Sequence, residues 1–132
     1  MINRAARSYR DLQAETDVRA ATPGELIVLV YDRILSHLRE ASRLISENQD
    51  SGPPVQKAVD LITDGLVAAL DTEKGGEIAH NLAALYDWAL RTILRARIRR
   101  DVAMMQDVIN VVAMLREAWV EANVSLKQPA LA

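Results

Sequence analysis

The chain has 132 residues, of which 50% are hydrophobic and 26% charged, and its formal net charge at pH 7 is −2. This length suits one domain with a real core, and the near-neutral balance gives no global electrostatic reason to expect nucleic acid or an anionic membrane as partner. Cysteine is absent, which excludes disulfides and thiolate metal sites and makes a cytoplasmic location the expectation. The first twenty residues lack the apolar core of a secretory signal, and no apolar run is long enough to span a membrane, so direct membrane insertion is not expected.

The N-terminal segment, residues 1–21, alternates arginines with acidic and small residues. Ala5, Tyr9 and Leu12 stand at i, i+4 and i+7, a spacing that allows a short amphipathic helix. A helix of this length is marginal in water on its own. We therefore predict a semi-mobile arm that is anchored by Tyr9.

The first long helix is predicted to begin sharply and to end near Ser46. Thr22 is a good N-cap, Pro23 suits the first helical position, and Glu25 completes a capping box. The polar stretch 47–54 contains two prolines and is predicted to be a loop. The apolar residues of the helix repeat at heptad spacing: Ile27, Tyr31, Ile34, Leu38, Ala41 and Ile45.

Three further helices are predicted, over residues 55–70, 76–98 and 101–124, with a flexible tail at 125–132. Asp101 is a plausible cap for the last of them. Because short loops can join only sequential antiparallel neighbours, residues 22–124 are predicted to form an all-α, up-down-up-down four-helix bundle. On the helix from Gly76, the expected core stripe is Ile78, Leu82, Leu85 and Ala89.

The last two helices carry more apolar residues than a core-facing stripe needs, which is about three in seven. Residues 101–124 include 16 apolar residues in 24. One seam of the last helix is formed by Val102, Met105, Ile109, Val112 and Trp119, and the second by Met104, Val108, Val111, Leu115, Ala118 and Ala122. Either both seams belong to a broad core face, or one is open or covered only by the arm and receives an apolar helix of another protein.

Catalytic and metal chemistry find little support in the sequence. Glu77 and His80 form a Glu-x-x-His pair, half of a di-iron bundle motif, but Ile34 stands three residues before His37, so the second copy is missing. We predict a surface histidine at position 80 and expect no catalytic residue, no metal and no cofactor. A helical-bundle enzyme or metal protein is kept as an alternative hypothesis.

Several polar and aromatic residues admit two interpretations. The basic cluster is a nucleic-acid patch or, in the favoured interpretation, a set of cations that complement a helix C-terminus. Asn81 bonds to solvent or a neighbouring carbonyl, or else to the backbone of a bound peptide. Tyr9 staples the arm to the bundle, or it plugs a groove until a partner displaces it. The cluster consists of Arg91, Arg95, Arg97, Arg99 and Arg100.

A family likeness runs from about Ser8 to Trp119. The matching residues are Tyr9, Gln13 and Glu15-Thr16; Ala21-Thr22-Pro23 and Leu26-Ile27; Leu29-Val30-Tyr31-Asp32; Gly65-Leu66 and Leu70-Asp71; Gly75-Gly76-Glu77-Ile78-Ala79; and Asn81-Leu82 with Leu85-Tyr86-Asp87-Trp88. In this order they resemble the FliS family of flagellin export chaperones. One departure is Arg33, where the family commonly has a small glycine.

The resemblance implies a cytoplasmic, non-enzymatic chaperone that binds the C-terminal segment of flagellin, prevents its premature polymerisation and hands it to the flagellar export gate. We further expect a monomer or weak homodimer that does not bind nucleic acid. A different helical-bundle interaction adaptor and a nucleic-acid adaptor are the remaining alternatives. The residues expected to contact the partner protein are Tyr9, Leu12, Leu29, Arg33, Asn81, Leu85, Trp88, Met104, Val108, Val111 and Leu115.

Overall fold

The computed structural model describes residues 4–16 and 22–127. Its helices are α1 (Arg4–Thr16), α2 (Pro23–Ser46), α3 (Gly52–Asp60), α4 (Gly76–Arg99) and α5 (Val102–Lys127). A π-helical segment (Leu61–Val67) continues α3. These two ranges contain no β-strand, which confirms the all-α class.

Local hydrogen bonds explain where two of the long helices begin. The hydroxyl oxygen of Thr22 accepts the backbone N–H of Glu25 at 3.2 Å, and Pro23 lies in the first turn of α2. At α5, the Asp101 carboxylate accepts the N–H of Met104 at 3.0 Å. Both predicted caps are confirmed. Each bond joins residues that are close in the chain, which is why the sequence alone could predict it.

The second predicted helix differs from the expectation at both ends. It begins at Gly52 instead of Val55, with Pro53 and Pro54 inside its first turn. Proline is tolerated there because the first N–H groups of a helix have no intrahelical partner. At the other end the α-helix continues as the π segment. There the Ala68 N–H donates to the Thr63 carbonyl, five residues earlier, at 3.1 Å.

The long helices pack on one another around a single core. Helix α2 contacts α3 and α5, while α4 contacts α3 and α5; α1 packs mainly against the π segment and also against α2. An ion pair between Asp32 and Arg116 joins α2 to α5. The largest fully buried side chains come from α2, α3, the π segment, α4 and α5: Val30, Tyr31, Ile34, Leu38, Val55, Ile62, Ile93, Met105 and Val108.

The core takes residues from both seams of α5. Met105, Ile109 and Val112 of the first seam are buried, and so is Val108 of the second. The expectation that Val108 lies on an open seam is therefore wrong, since this side chain has no exposed surface. The rest of the second seam is at the margin of the core, with Met104, Val111 and Leu115 half-buried and Ala118 and Ala122 exposed.

The stripe predicted on α4 is correct at Ala89 and wrong at Ile78. Ala89 is buried, whereas Ile78 is 73% exposed and Leu82 and Leu85 are half-buried. The buried face runs instead through Ala79, Tyr86, Ala89, Thr92, Ile93 and Ala96. Ile78 is uncovered because the preceding turn, residues 71–77, is exposed throughout and the first turn of α4 has no packed neighbour on that side.

The C-terminal helix ends later than expected. It continues to Lys127, although its end was predicted near Val124 and residues 125–132 as a tail. No glycine or proline interrupts the sequence before Pro129, and proline disfavours the helical conformation of the residue before it. Residues 128–132 lie outside the described part of the chain.

Two methionines of α5 provide a matched test of the packing. Met105 is fully buried and Met114 is 64% exposed. Met105→Ala is expected to lower the free energy of unfolding by about 2–5 kcal/mol, because it leaves a cavity in the core. Met114→Ala is expected to change it by about 0.5 kcal/mol or less. Urea denaturation followed by circular dichroism measures both, and equal losses would contradict the assigned orientation of α5.

Candidate functional site

Helix α1 is held on the π segment by an apolar face and one hydrogen bond. Leu12 is only 3% exposed and Ala5 is also buried. The Tyr9 hydroxyl donates to the Gly65 carbonyl oxygen at 2.9 Å. The nearby ion pair between Arg4 and Asp64, at 3.5 Å, is exposed and contributes little. Docking of this arm therefore depends mainly on Leu12 and Tyr9.

All three tyrosines of the chain lie at the same end of the core. The hydroxyl oxygens of Tyr31 and Tyr86 are 2.6 Å apart and share a hydrogen bond. The Trp119 indole, on α5, lies near the Tyr31 hydroxyl and lowers the pKa of that group. This aromatic cluster, Tyr9, Tyr31, Tyr86 and Trp119, thus links α1, α2, α4 and α5.

Burial controls the acidity of the tyrosines. Desolvation, followed by the influence of Tyr31, raises the pKa of Tyr9 from 10.0 to about 12. Burial also raises the pKa of Tyr31, and its hydrogen bonds with Tyr86 and Trp119 oppose that shift. For Tyr86 the pKa is raised first by burial and then by Tyr31. All three hydroxyls therefore remain neutral donors and acceptors at physiological pH.

Two ion pairs indicate which flanks of α4 and α5 face each other. On α4, Arg97 lies 3.9 Å from Asp50, just before α3, so that flank faces α3. On α5, Arg116 pairs with Asp32 of α2. The opposite flanks, by the helical period of 3.6 residues, meet along what we call the α4–α5 seam.

The α4–α5 seam is apolar and partly open. From α5 it receives Met104, Val111 and Leu115, which are half-buried. From α4 it receives half-buried Leu85, exposed Asn81 and Trp88, whose exposed fraction is 38%. Such a surface can accept an apolar helix, and Asn81 can bond to polar backbone at its edge.

The candidate residues thus fall into two groups. Tyr9, Leu12 and Arg33 lie around α1, where Leu12 and Arg33 line a crevice of about 630 Å³ between α1, α2 and the end of α3. Leu29 is half-buried and packs against the core. The other group follows the α4–α5 seam. Arg33 therefore borders the docked arm and lies apart from that seam.

Sequence reasoning missed the linked roles of Tyr31, Tyr86, Trp119 and Gly65. The heptad spacing placed Tyr31 in a core stripe, but nothing local indicated that its hydroxyl would meet that of Tyr86. Gly65, in the middle of a helical pattern, was the one available signal for an irregular segment. His80 is exposed in the first turn of α4, with Nδ1 2.9 Å from the Gly76 carbonyl oxygen, as predicted for a surface histidine.

Within residues 4–16 and 22–127, no helix combines the length and apolar character that crossing a membrane requires. Comparison with known proteins then identifies the family. The family model for the flagellar protein FliS matches residues 5–126. The chain belongs to the FliS family.

Three relatives in this family are similar over most of their length. The flagellar secretion chaperone FliS of Salmonella typhimurium is 39% identical over 116 residues, covering 86% of this chain and 85% of the relative. FliS of Escherichia coli K12 is 32% identical, with 92% and 91% covered. The chaperone FliSB of Pseudomonas aeruginosa is 30% identical, with 88% and 93% covered.

The tyrosine cluster predicts an unusual alkaline titration. Because the folded-state pKa of Tyr9 is about 12 instead of 10.0, its contribution to stability is complete below pH 10 and is lost as the pH rises through 12. Near-ultraviolet absorbance of tyrosinate should show no ionisation near pH 10 in the folded chain. The urea-unfolded chain should titrate near 10.

The variant Tyr9→Phe is the control for that titration. It is expected to remove one tyrosinate step and leave the helical signal at neutral pH unchanged. Equal titration midpoints for the folded and the urea-unfolded variant would contradict the buried position of the other two hydroxyls.

Proposed function

We propose that this protein is a cytoplasmic, non-enzymatic export chaperone that binds the C-terminal segment of flagellin, prevents its premature polymerisation and hands it to the flagellar export gate. The observation that carries the proposal is membership of the FliS family together with a partly open apolar seam on α4 and α5. We also propose that the four long helical segments, with α3 and the π segment counted as one, form an up-down-up-down bundle.

The physical task of such a chaperone fits an apolar seam. A chain segment that is disordered alone and folds on binding buries on the order of 1,000–3,000 Å². Its ordering costs several kcal/mol, so the receiving surface must be extensive and apolar. The half-buried apolar residues of the α4–α5 seam, together with the partly exposed Trp88, support this role.

Each seam residue has a proposed role. Leu85, Trp88, Val111 and Leu115 contact the apolar stripe of a flagellin helix, and flexible Met104 adapts to its shape. Asn81 bonds to flagellin backbone at the edge of the seam.

The arm is proposed to compete with flagellin for part of the binding surface. Tyr9 and Leu12 cover apolar surface of α2 and the π segment next to the aromatic cluster. A flagellin segment that extends from the seam around this end would have to displace α1. Leu29 and Arg33 of α2 would then contact flagellin in place of the arm.

The seam is tested with Leu115→Asp. A charge at this half-buried position should weaken binding of the C-terminal flagellin segment at least about tenfold, as expected for an anchor residue. Isothermal titration calorimetry measures the affinity, and circular dichroism checks that helicity is retained. Met114→Asp, an adjacent change at an exposed site outside the seam, is the control and should bind normally.

Two outcomes would contradict this assignment. Flagellin that lacks its C-terminal segment should not bind, so equal binding of full-length and truncated flagellin would reject the proposed ligand. Equal affinities of the Leu115→Asp and Met114→Asp variants would reject the α4–α5 seam while leaving the ligand intact.

The arm is tested with Leu12→Asp. A carboxylate at this buried position should undock α1 because burying an unpaired charge is unfavourable. Affinity for the flagellin segment should rise about threefold or more, since the binding-competent state becomes more populated. Ala6→Asp, at an exposed site on α1, adds the same charge and should have no effect. A loss of affinity in Leu12→Asp alone would instead make the arm a direct contact.

A further inference from the structure

A second apolar feature lies on the outer face of α4, near its C-terminal end. Leu94 is 45% exposed and Ile98 is 81% exposed. Their spacing of four residues places them side by side on one face. By the helical period they lie roughly opposite Leu85, so they are not part of the α4–α5 seam. We call this pair the outer patch.

A row of arginines begins beside the outer patch, where Arg91 and Arg95 flank Ile98, and by the helical period it turns towards the side of Leu85 at Arg99. Arg91, Arg95 and Arg99 are exposed and follow one another at steps of four. Arg97 and Arg100 of the same basic cluster turn elsewhere, to Asp50 at 3.9 Å and to the Gln49 carbonyl oxygen at 3.3 Å. Three of the five cations therefore form a single stripe on α4.

The cationic groups of this stripe are available to pair with a second protein. Arg91 pairs with Asp87 one turn earlier, an exposed pair that contributes little. Among residues 4–16 and 22–127, neither Arg95 nor Arg99 forms an ion pair with a carboxylate. Complementing the helix C-terminus explains cations in the last turn, but it does not explain Arg91 or the exposed Ile98.

We propose that this face of α4 is a docking surface for an acidic amphipathic helix of a second protein, near the C-terminal end of α4 and beyond the seam residues Asn81, Leu85 and Trp88. Apolar side chains of the partner would cover Leu94 and Ile98, and its carboxylates would pair with Arg91, Arg95 and Arg99. Because the whole chain carries a net charge of −2, this local basic stripe gives an acidic partner a specific point of approach.

Two other occupants fit the face less well. A nucleic-acid backbone would use the arginines but would gain nothing from the apolar pair. A second copy of this chain on a two-fold axis would present the same surface to itself, and this would bring arginine stripes of like charge towards each other. An acidic amphipathic helix satisfies both the charge and the apolar residues.

The test uses the full chain and a fluorescein-labelled synthetic helix with leucines at i, i+4 and i+7 flanked by glutamates. Fluorescence anisotropy should show binding. Ile98→Asp and the double variant Arg95→Glu with Arg99→Glu should each weaken it at least about tenfold. Met114→Asp and Arg39→Glu, exposed changes on α5 and α2, are the matched controls and should bind normally.

A charge reversal makes the test specific. The same helix with lysines in place of glutamates should not bind the unaltered chain but should bind the double arginine variant. All the variants alter exposed positions, so their unfolding midpoints in urea should stay close to that of the unaltered chain.

Several results would overturn the proposal. Unchanged peptide binding by the Ile98→Asp variant would show that the outer patch is not the binding site. Displacement of the peptide by the C-terminal flagellin segment would make the patch part of the flagellin site. Tight binding of a single-stranded oligonucleotide that depends on the arginines but not on Ile98 would assign the face to nucleic acid. Concentration-dependent dimerisation that Ile98→Asp abolishes would assign it to a second copy of the chain.

Discussion

The structure depends on which faces of α5 contact its two neighbours, α2 and α4. Its core face, with Met105, Val108 and Val112, is enclosed. One flank is fixed on α2 by the ion pair between Arg116 and Asp32. The other flank, with Val111 and Leu115, is left half-buried towards α4. Because the enclosed core face determines the rotation of the helix, Val111 and Leu115 are directed towards α4, where they form the α5 side of the α4–α5 seam.

The aromatic cluster joins the helices at one end of the core. Buried hydroxyls need partners, since an unpaired polar group in the interior is costly. The hydroxyls of Tyr31 and Tyr86 are 2.6 Å apart and share a hydrogen bond, which joins α2 to α4, and Trp119 of α5 packs against the same core. Tyr9 meets the cluster from α1 while bonding to Gly65 of the π segment. The arm therefore contacts the aromatic cluster that joins the other helices.

Features that depend on neighbouring residues could be predicted from the sequence. The cap at Thr22 and the cap at Asp101 each involve a bond to a residue three positions away. Heptad spacing gave the core face of α2 except at Ile27, which is half-buried. The prediction that the two prolines belong to a loop was wrong. Proline stops a helix only in its interior, and here both prolines stand in the first turn of α3.

Features that depend on the whole fold could not be predicted in this way. Val108 belongs to the same heptad seam as Leu115, yet one is enclosed and the other is at the margin. Ile78 continues an apolar stripe into a turn where no helix covers it. The π segment and the pairing of Tyr31 with Tyr86 join residues distant in the chain. Spacing identifies a face, but only the packed neighbours determine which residues of that face are enclosed.

The central claim, that the α4–α5 seam is the surface that receives flagellin, is tested most directly by amide hydrogen exchange of the full chain with and without the C-terminal flagellin segment. We predict that exchange slows along residues 81–92 and 104–118 on binding, while residues 34–46 of α2 are unaffected. Protection confined to other parts of the chain, with these two stretches unchanged, would contradict the account.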